Sequence, residues 1–207
     1  MRRTDGFTLA ELAIVLAIIG LLLGMYFLRG QAEKDSSVAN DVVAMQKDLI
    51  DAIREFKHQY NFLPGDLPNA GRKIGAVPEI CDIHMINNNI GNGLIDTPNE
   101  VQCVPDELKL SGLFNANLVT DGLHVFITSN GNQLTVLAAS IAHVPTISSA
   151  PLLPQTVIEV ANLPCDSAKA VDKRLDDGNL GTGNIQVAAA FVNCVSGTEV
   201  PYLDIAF

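Results

Sequence analysis

Positive charge is scarce in this 207-residue chain, with 13 Lys and Arg against 23 Asp and Glu, and nowhere do the basic residues gather into a cluster. A formal charge of −10 without such a patch argues against binding nucleic acid by neutralising phosphates. Also missing are a Gly-x-Ser-x-Gly elbow, a phosphate loop and a His-Glu-x-x-His helix, so no enzyme and no cofactor are expected. Asp176 and Asp177, followed by Gly178, read as a helix terminus rather than a catalytic pair, with Lys173 and Arg174 offsetting the last-turn carbonyls. No two cysteines stand at Cys-x-x-Cys spacing and His58, His84, His124 and His143 are scattered, which disfavours zinc. His84, between Ile83 and Met85, reads as a packed loop histidine.

What the chain does have is a 22-residue run from Phe7 to Leu28 whose only charge is Glu11. A helix of that length crosses a bilayer core of ~30 Å at ~1.5 Å per residue. Arg2 and Arg3 just before it favour a cytoplasmic N-terminus and place the body outside the cytoplasm. A secretory signal peptide has a shorter apolar stretch and a small-x-small cleavage site, and Leu28-Arg29-Gly30-Gln31-Ala32 offers no clean one. A twin-arginine signal fits poorly, because Arg3 leads through Thr-Asp-Gly directly into the apolar run. An ionisable group inside a spanning helix costs at least ~2.5 kcal/mol and normally has a partner. Either Glu11 sits near enough to the interface to stay hydrated, or it pairs with a cation. A cut between Gly6 and Phe7 would make such a cation, a free amine about one helical turn from Glu11.

A short charged leader, then Gly6, Phe7, Thr8, Leu9, Ala10, Glu11 and an apolar helix, resembles the class III signal of type IV prepilins and type II secretion pseudopilins. Ala10 stands where a larger aliphatic is more usual, and Asp5 where a basic or neutral residue is commoner. The resemblance implies cleavage after Gly6 by a membrane prepilin peptidase that also methylates Phe7, with Glu11 guiding the subunit into a filament. It implies a structural subunit, a major or minor pilin or a pseudopilin, in a type IV pilus or a type II secretion pseudopilus. Its partners would be that peptidase, other pilin or pseudopilin subunits, and the inner-membrane assembly platform. Its location would be the bacterial inner membrane, head in the periplasm, and afterwards the filament. The alternative is a permanently anchored extracytoplasmic binding or adhesive protein that does not polymerise.

The expected organisation is a leader over 1–6, a membrane or filament-core helix over 7–28, its amphipathic continuation over 29–62 and a loop-rich head over 63–207. The continuation rests on Val38, Val42, Met45, Leu49, Ile53, Phe56 and Tyr60, an apolar stripe at helical spacing with charged residues between. Arg29-Gly30 is the point at which the two helical parts could separate. Leu63-Pro64-Gly65-Asp66-Leu67-Pro68 stops the helix, and Asn69 to Lys109 reads mostly as loop. In that stretch Asn88, Asn92 and Asp96 invite a calcium reading. The EF-hand pattern fails, because Gly93 as the turn glycine puts Ile90 at a ligand position and Asn99 where a glutamate belongs, so no metal is the first expectation.

Strands are expected at 123–128, 134–142, 156–160, 185–192 and, weakly, 200–206, with a short helix over 166–175 capped by Asp166. Helix first and strands later predicts an α+β fold, pilin-like, in which an antiparallel sheet covers the amphipathic stripe. Cys81, Cys103, Cys165 and Cys194 all fall in the part expected to be exported, where disulfides persist. Three pairings are possible, and Cys81–Cys103 with Cys165–Cys194 is the simplest because each closes a moderate loop. A subgroup of proteobacterial prepilin-type proteins is similar further on, sharing Leu63-Pro64-Gly65-Asp66, Gly91-Asn92-Gly93 and Ala170 to Gly178 in that order.

Overall fold

The computed structural model describes residues 9–77, 81, 90–120, 122–143 and 156–207. It divides into two compact units, Met1–Ser37 and Val38–Phe207. Helix α1, Leu9–Tyr60, is unbroken through Arg29-Gly30, where an exposed Arg29–Glu33 pair one turn apart adds little. It ends before the proline is reached: Asn61 adopts a left-handed φ of 60° and its N–H returns to the Lys57 carbonyl.

Within Val38–Phe207 the expected stripe is the helix's buried face. Val42, Leu49 and Phe56 have no exposed surface, and Val38, Met45 and Ile53 have almost none. They belong to one core with Phe126, Leu134, Val136, Ile158, Val160, Leu203 and Ile205. Those residues come from a six-stranded antiparallel sheet of β1 (Val119–Thr120), β2 (Val125–Ile127), β3 (Gln133–Ala138), β4 (Thr156–Pro164), β5 (Ile185–Val187) and β6 (Glu199–Ala206). Their order is β1-β2-β3-β4-β6-β5, so the C-terminal strand lies inside the sheet and β5 forms an edge. Ile158 opposite Ile205 and Val160 opposite Leu203 set the register that keeps one face apolar. The fold is α+β with a pilin-like arrangement, a long N-terminal helix followed by helices and an antiparallel sheet.

Several elements depart from the sequence expectation. Among the described residues of 69–109, two helices interrupt the expected loop. They are α2, Ala70–Lys73, and α3, Pro98–Leu110. The start of α3 is a capping box, with the Thr97 hydroxyl accepting from the Glu100 N–H and the Glu100 carboxylate accepting from the Thr97 N–H, and Pro98 opens the first turn. Helix α4 is Cys165–Leu175 and Asp166 does not cap it: Pro164 occupies that position and the Asp166 carboxylate accepts from the Ser196 hydroxyl. Strand β3 stops at Ala138, where a 3₁₀ turn, Ala139–Ile141, carries the chain over Val157. Strand β5 stops at Val187 because a second such turn, Ala189–Phe191, leads to Cys194. Strand β2 begins only at Val125, since His124 has a φ of 51° and its ring bonds Asp106. The disulfides are Cys81–Cys103, with Cα atoms 5.5 Å apart, and Cys165–Cys194, with Cα atoms 5.9 Å apart.

Candidate functional site

The N-terminal half of α1 presents apolar side chains that are exposed among the described residues. In the window Leu9–Tyr26 mean hydropathy is 2.3 and none of the residues is buried. An uncovered apolar stripe this long needs lipid or other helices around it. Ala13, Ala17, Gly20 and Gly24 recur at helical spacing along it, and a Cβ built at Gly20 or Gly24 meets nothing within 4 Å. Such a row of small residues lets a neighbouring helix approach closely. Glu11 lies near the N-terminal end of the described part of the helix. Gly6 and Phe7 lie outside the described residues.

The head holds a second set of acids, and two of the sequence pieces noted above meet there. Asp66, fully buried, follows the Pro64-Gly65 turn, and its carboxylate accepts the N–H groups of Gly91, Asn92 (3.2 Å) and Gly93 (2.8 Å). One residue earlier, the Gly65 N–H donates to Glu107 Oε2 at 2.7 Å. Gly65 has a φ of 85°, and a Cβ there would stand 2.4 Å from the Glu100 carbonyl oxygen and 2.9 Å from Val104 Cγ2. Only glycine lets the turn press onto α3. Pro-Gly-Asp is thus a clamp that ties the end of α1 to α3 and to the Gly91–Gly93 loop.

Burial pushes the Asp66 and Glu100 carboxyls above their ordinary values, opposed by the backbone N–H groups they accept. Glu107 is pushed up to about 8, first by burial and then by the charges of Asp66 and Asp106, against the single backbone hydrogen bond from Gly65. These carboxyls hold backbone in place; their chemistry is structural.

Two residues of the calcium reading, Asn92 and Asp96, lie in this loop. Asn92 Oδ1 accepts from the Leu94 N–H at 2.7 Å, its amide donates to Asp96 Oδ2 at 3.3 Å, and the loop's own N–H groups converge on the Asp66 carboxylate. Converging N–H groups form an anion receptor. Asn88 and His84 lie outside the described residues. Asp176 caps the end of α4, its N–H donating to the Asp172 carbonyl at 2.7 Å. Asp177 accepts from the Thr182 hydroxyl and the Asn179 N–H, which hold its carboxyl below the usual range.

Sequence reading missed the Asp66–Glu107–Glu100 group as a unit. The signal was Thr97-Pro98-Asn99-Glu100, a capping box with proline in the first turn, which would have revealed the helix that carries two of its members.

Comparison with known proteins bears on the first site. Residues 1–27 match the family model described as the prokaryotic N-terminal methylation motif. No curated protein and no solved structure matches the chain. The N-terminal segment therefore carries a type IV prepilin-like signal, which points to a structural protein and, with the apolar helix behind it, is consistent with membrane anchoring.

Proposed function

We propose that the chain is a subunit of a type IV pilus or a type II secretion pseudopilus. Prepilin peptidase cuts after Gly6 and methylates Phe7, so that 1–6 is the leader, 7–28 the membrane and filament-core helix, 29–62 its continuation and 63–207 the head. Before assembly the subunit spans the inner membrane with its head in the periplasm; the assembly platform then transfers it to the filament. The observation that carries this reading is the bare apolar helix Leu9–Tyr26, lying under a methylation motif and holding Glu11 near its N-terminal end. In a filament, neighbouring helices replace lipid around that stripe, with Ala13, Ala17, Gly20 and Gly24 allowing close contact. The Phe7 amine of one subunit then neutralises a Glu11 carboxylate within the apolar core.

Glu11→Ala tests this. Membrane insertion should be retained, while recovery in sheared filaments should fall by roughly tenfold or more, because removing one partner of a desolvated ion pair costs about 3 kcal/mol. Mass spectrometry of the membrane-extracted wild type should find a methylated Phe7 terminus. A retained Met1 or Arg2 would support the permanently anchored alternative, whereas normal incorporation of Glu11→Ala would overturn the role given to Glu11.

A further inference from the structure

The C-terminal end of α4 gathers three carboxylates where a helix least favours them. Asp172 lies in the last turns, Asp176 follows Leu175 as the cap and Asp177 comes next. All three therefore sit at the negative end of the helix dipole, a place usually given to cations. One oxygen from each lies within 4.8 Å of the others.

Two of the three are held by the loop that follows. Asp176 Oδ2 accepts the N–H groups of Asn184 at 2.5 Å and Ile185 at 2.9 Å. Asp177 accepts the Asn179 N–H at 2.8 Å and the Thr182 hydroxyl at 2.6 Å. At Gly183, φ 79°, a Cβ would fall 2.0 Å from Asp176 Oδ2, so only glycine lets the loop close so tightly over the cluster.

Asp172 is different. It has no exposed surface, and among the described residues neither carboxylate oxygen has a hydrogen-bond partner. Buried carboxylates in native proteins are paired, hydrogen-bonded or bound to an ion. Burial raises the Asp172 carboxyl to about 6, with the charges of Asp177 and Asp176 acting in the same direction. The nearby Lys169 ammonium is engaged elsewhere, donating to the Cys194 carbonyl at 2.7 Å. Two buried oxygens without donors, facing two further carboxylates, are what a cation would complete.

We propose that Asp172, Asp176 and Asp177 bind a calcium ion. The donor set is entirely oxygen, which selects a hard cation over zinc or copper. Calcium accepts carboxylates in mono- or bidentate fashion, with loop carbonyls and water filling a flexible shell of six to eight ligands, whereas magnesium demands near-ideal octahedral geometry. A bound calcium converts repulsion among the three carboxylates into attraction and reverses the unfavourable charge at the helix end. It also fastens α4 to the start of β5, the edge strand that the 176–184 loop leads into. The site is distinct from the Asn88, Asn92 and Asp96 passage and does not depend on filament assembly.

The test is calorimetric titration of calcium chloride into the full-length chain in detergent, with thermal unfolding in calcium and in EDTA. Wild type should take up one calcium per chain with a dissociation constant of about 10⁻⁵ to 10⁻³ M. Asp172→Asn should weaken binding by at least about tenfold, as expected for loss of a direct ligand. In EDTA that variant should melt no lower than wild type, because a buried charge has been removed; a lower melting temperature there would mark a purely structural carboxylate and overturn the proposal. Should Asp172→Asn fail to fold, the exposed Asp177→Asn is read in its place for calcium affinity. Asp51→Asn, an exposed acid on α1, should bind calcium as wild type does. Absence of saturable calcium uptake by wild type, or unchanged affinity in the ligand variant, overturns the site. Equal affinity for magnesium overturns the choice of calcium.

Discussion

Replacing Glu107 with glutamine separates the proton it carries from the hydrogen bond it makes. Glu107 has no exposed surface; Oε2 accepts the Gly65 N–H at 2.7 Å, and Oε1 is buried without a partner among the described residues. Its carboxyl is pushed from 4.5 up to about 8. Between those values the folded protein keeps a proton that the unfolded chain has released, so stability falls as pH rises through that window. Below 4.5 both states are protonated and the effect vanishes. Above about 8 the whole penalty is present, at most on the order of 5 kcal/mol at 1.36 kcal/mol per unit. From pH 6 to 8 the wild type should lose up to about 3 kcal/mol, or roughly 6–12 °C in the midpoint of a domain this size. Glu107→Gln keeps an acceptor for Gly65 and cannot ionise, so most of that slope should disappear. Asp172, raised to about 6, is half titrated at the lower end of this range, and its remaining contribution is common to wild type and variant. Near-ultraviolet circular dichroism of the full chain in detergent follows Tyr60 and Tyr202, which lie in the Val38–Phe207 unit. Parallel melting curves for wild type and variant from pH 6 to 8 would refute the assignment.

Two further outcomes follow from the clamp and the disulfides. Gly65→Ala should lower stability by at least about 2 kcal/mol in urea denaturation, because its Cβ would meet the Glu100 carbonyl oxygen at 2.4 Å in a left-handed conformation. Removing Cys165–Cys194 by Cys165→Ala with Cys194→Ala releases a 29-residue separation, worth about 3 to 4 kcal/mol by loop-closure entropy. The same denaturation experiment should show that loss.

Periodicity carried a large part of the fold. The stripe from Val38 to Phe56 is visible in the sequence because burial against one face repeats every three or four residues, and the same residues form the core. The N-terminal signal was readable for a similar reason: Gly6, Phe7, Glu11 and the run to Leu28 are contiguous, and their meaning depends on lipid and on processing rather than on the head. Strand ends were less readable. Ala138 and Val187 are followed by residues as apolar as a strand requires, and the chain leaves the sheet there because Ala139 packs beside Val157 and Phe191 leads to Cys194. Proline is not a sign of loop at 98–110, where Pro98 opens α3 and Pro105 is accommodated within it.

By itself the sequence determined the apolar helix, its lone glutamate, the methylation motif and the amphipathic stripe, all properties of neighbouring residues on one element. Only the tertiary structure decided that Asp66 would meet Gly91 to Gly93, that Gly65 would rest on Glu107, and that Asp172 would be buried beside Asp176 and Asp177 without a donor among the described residues. A carboxylate's role depends on how many N–H groups and charges surround it and how much water is excluded. For Asp66 and Glu107 those partners come from 25 to 42 residues away. For Asp172 what matters is water exclusion by the packed core, which spacing along the chain does not encode.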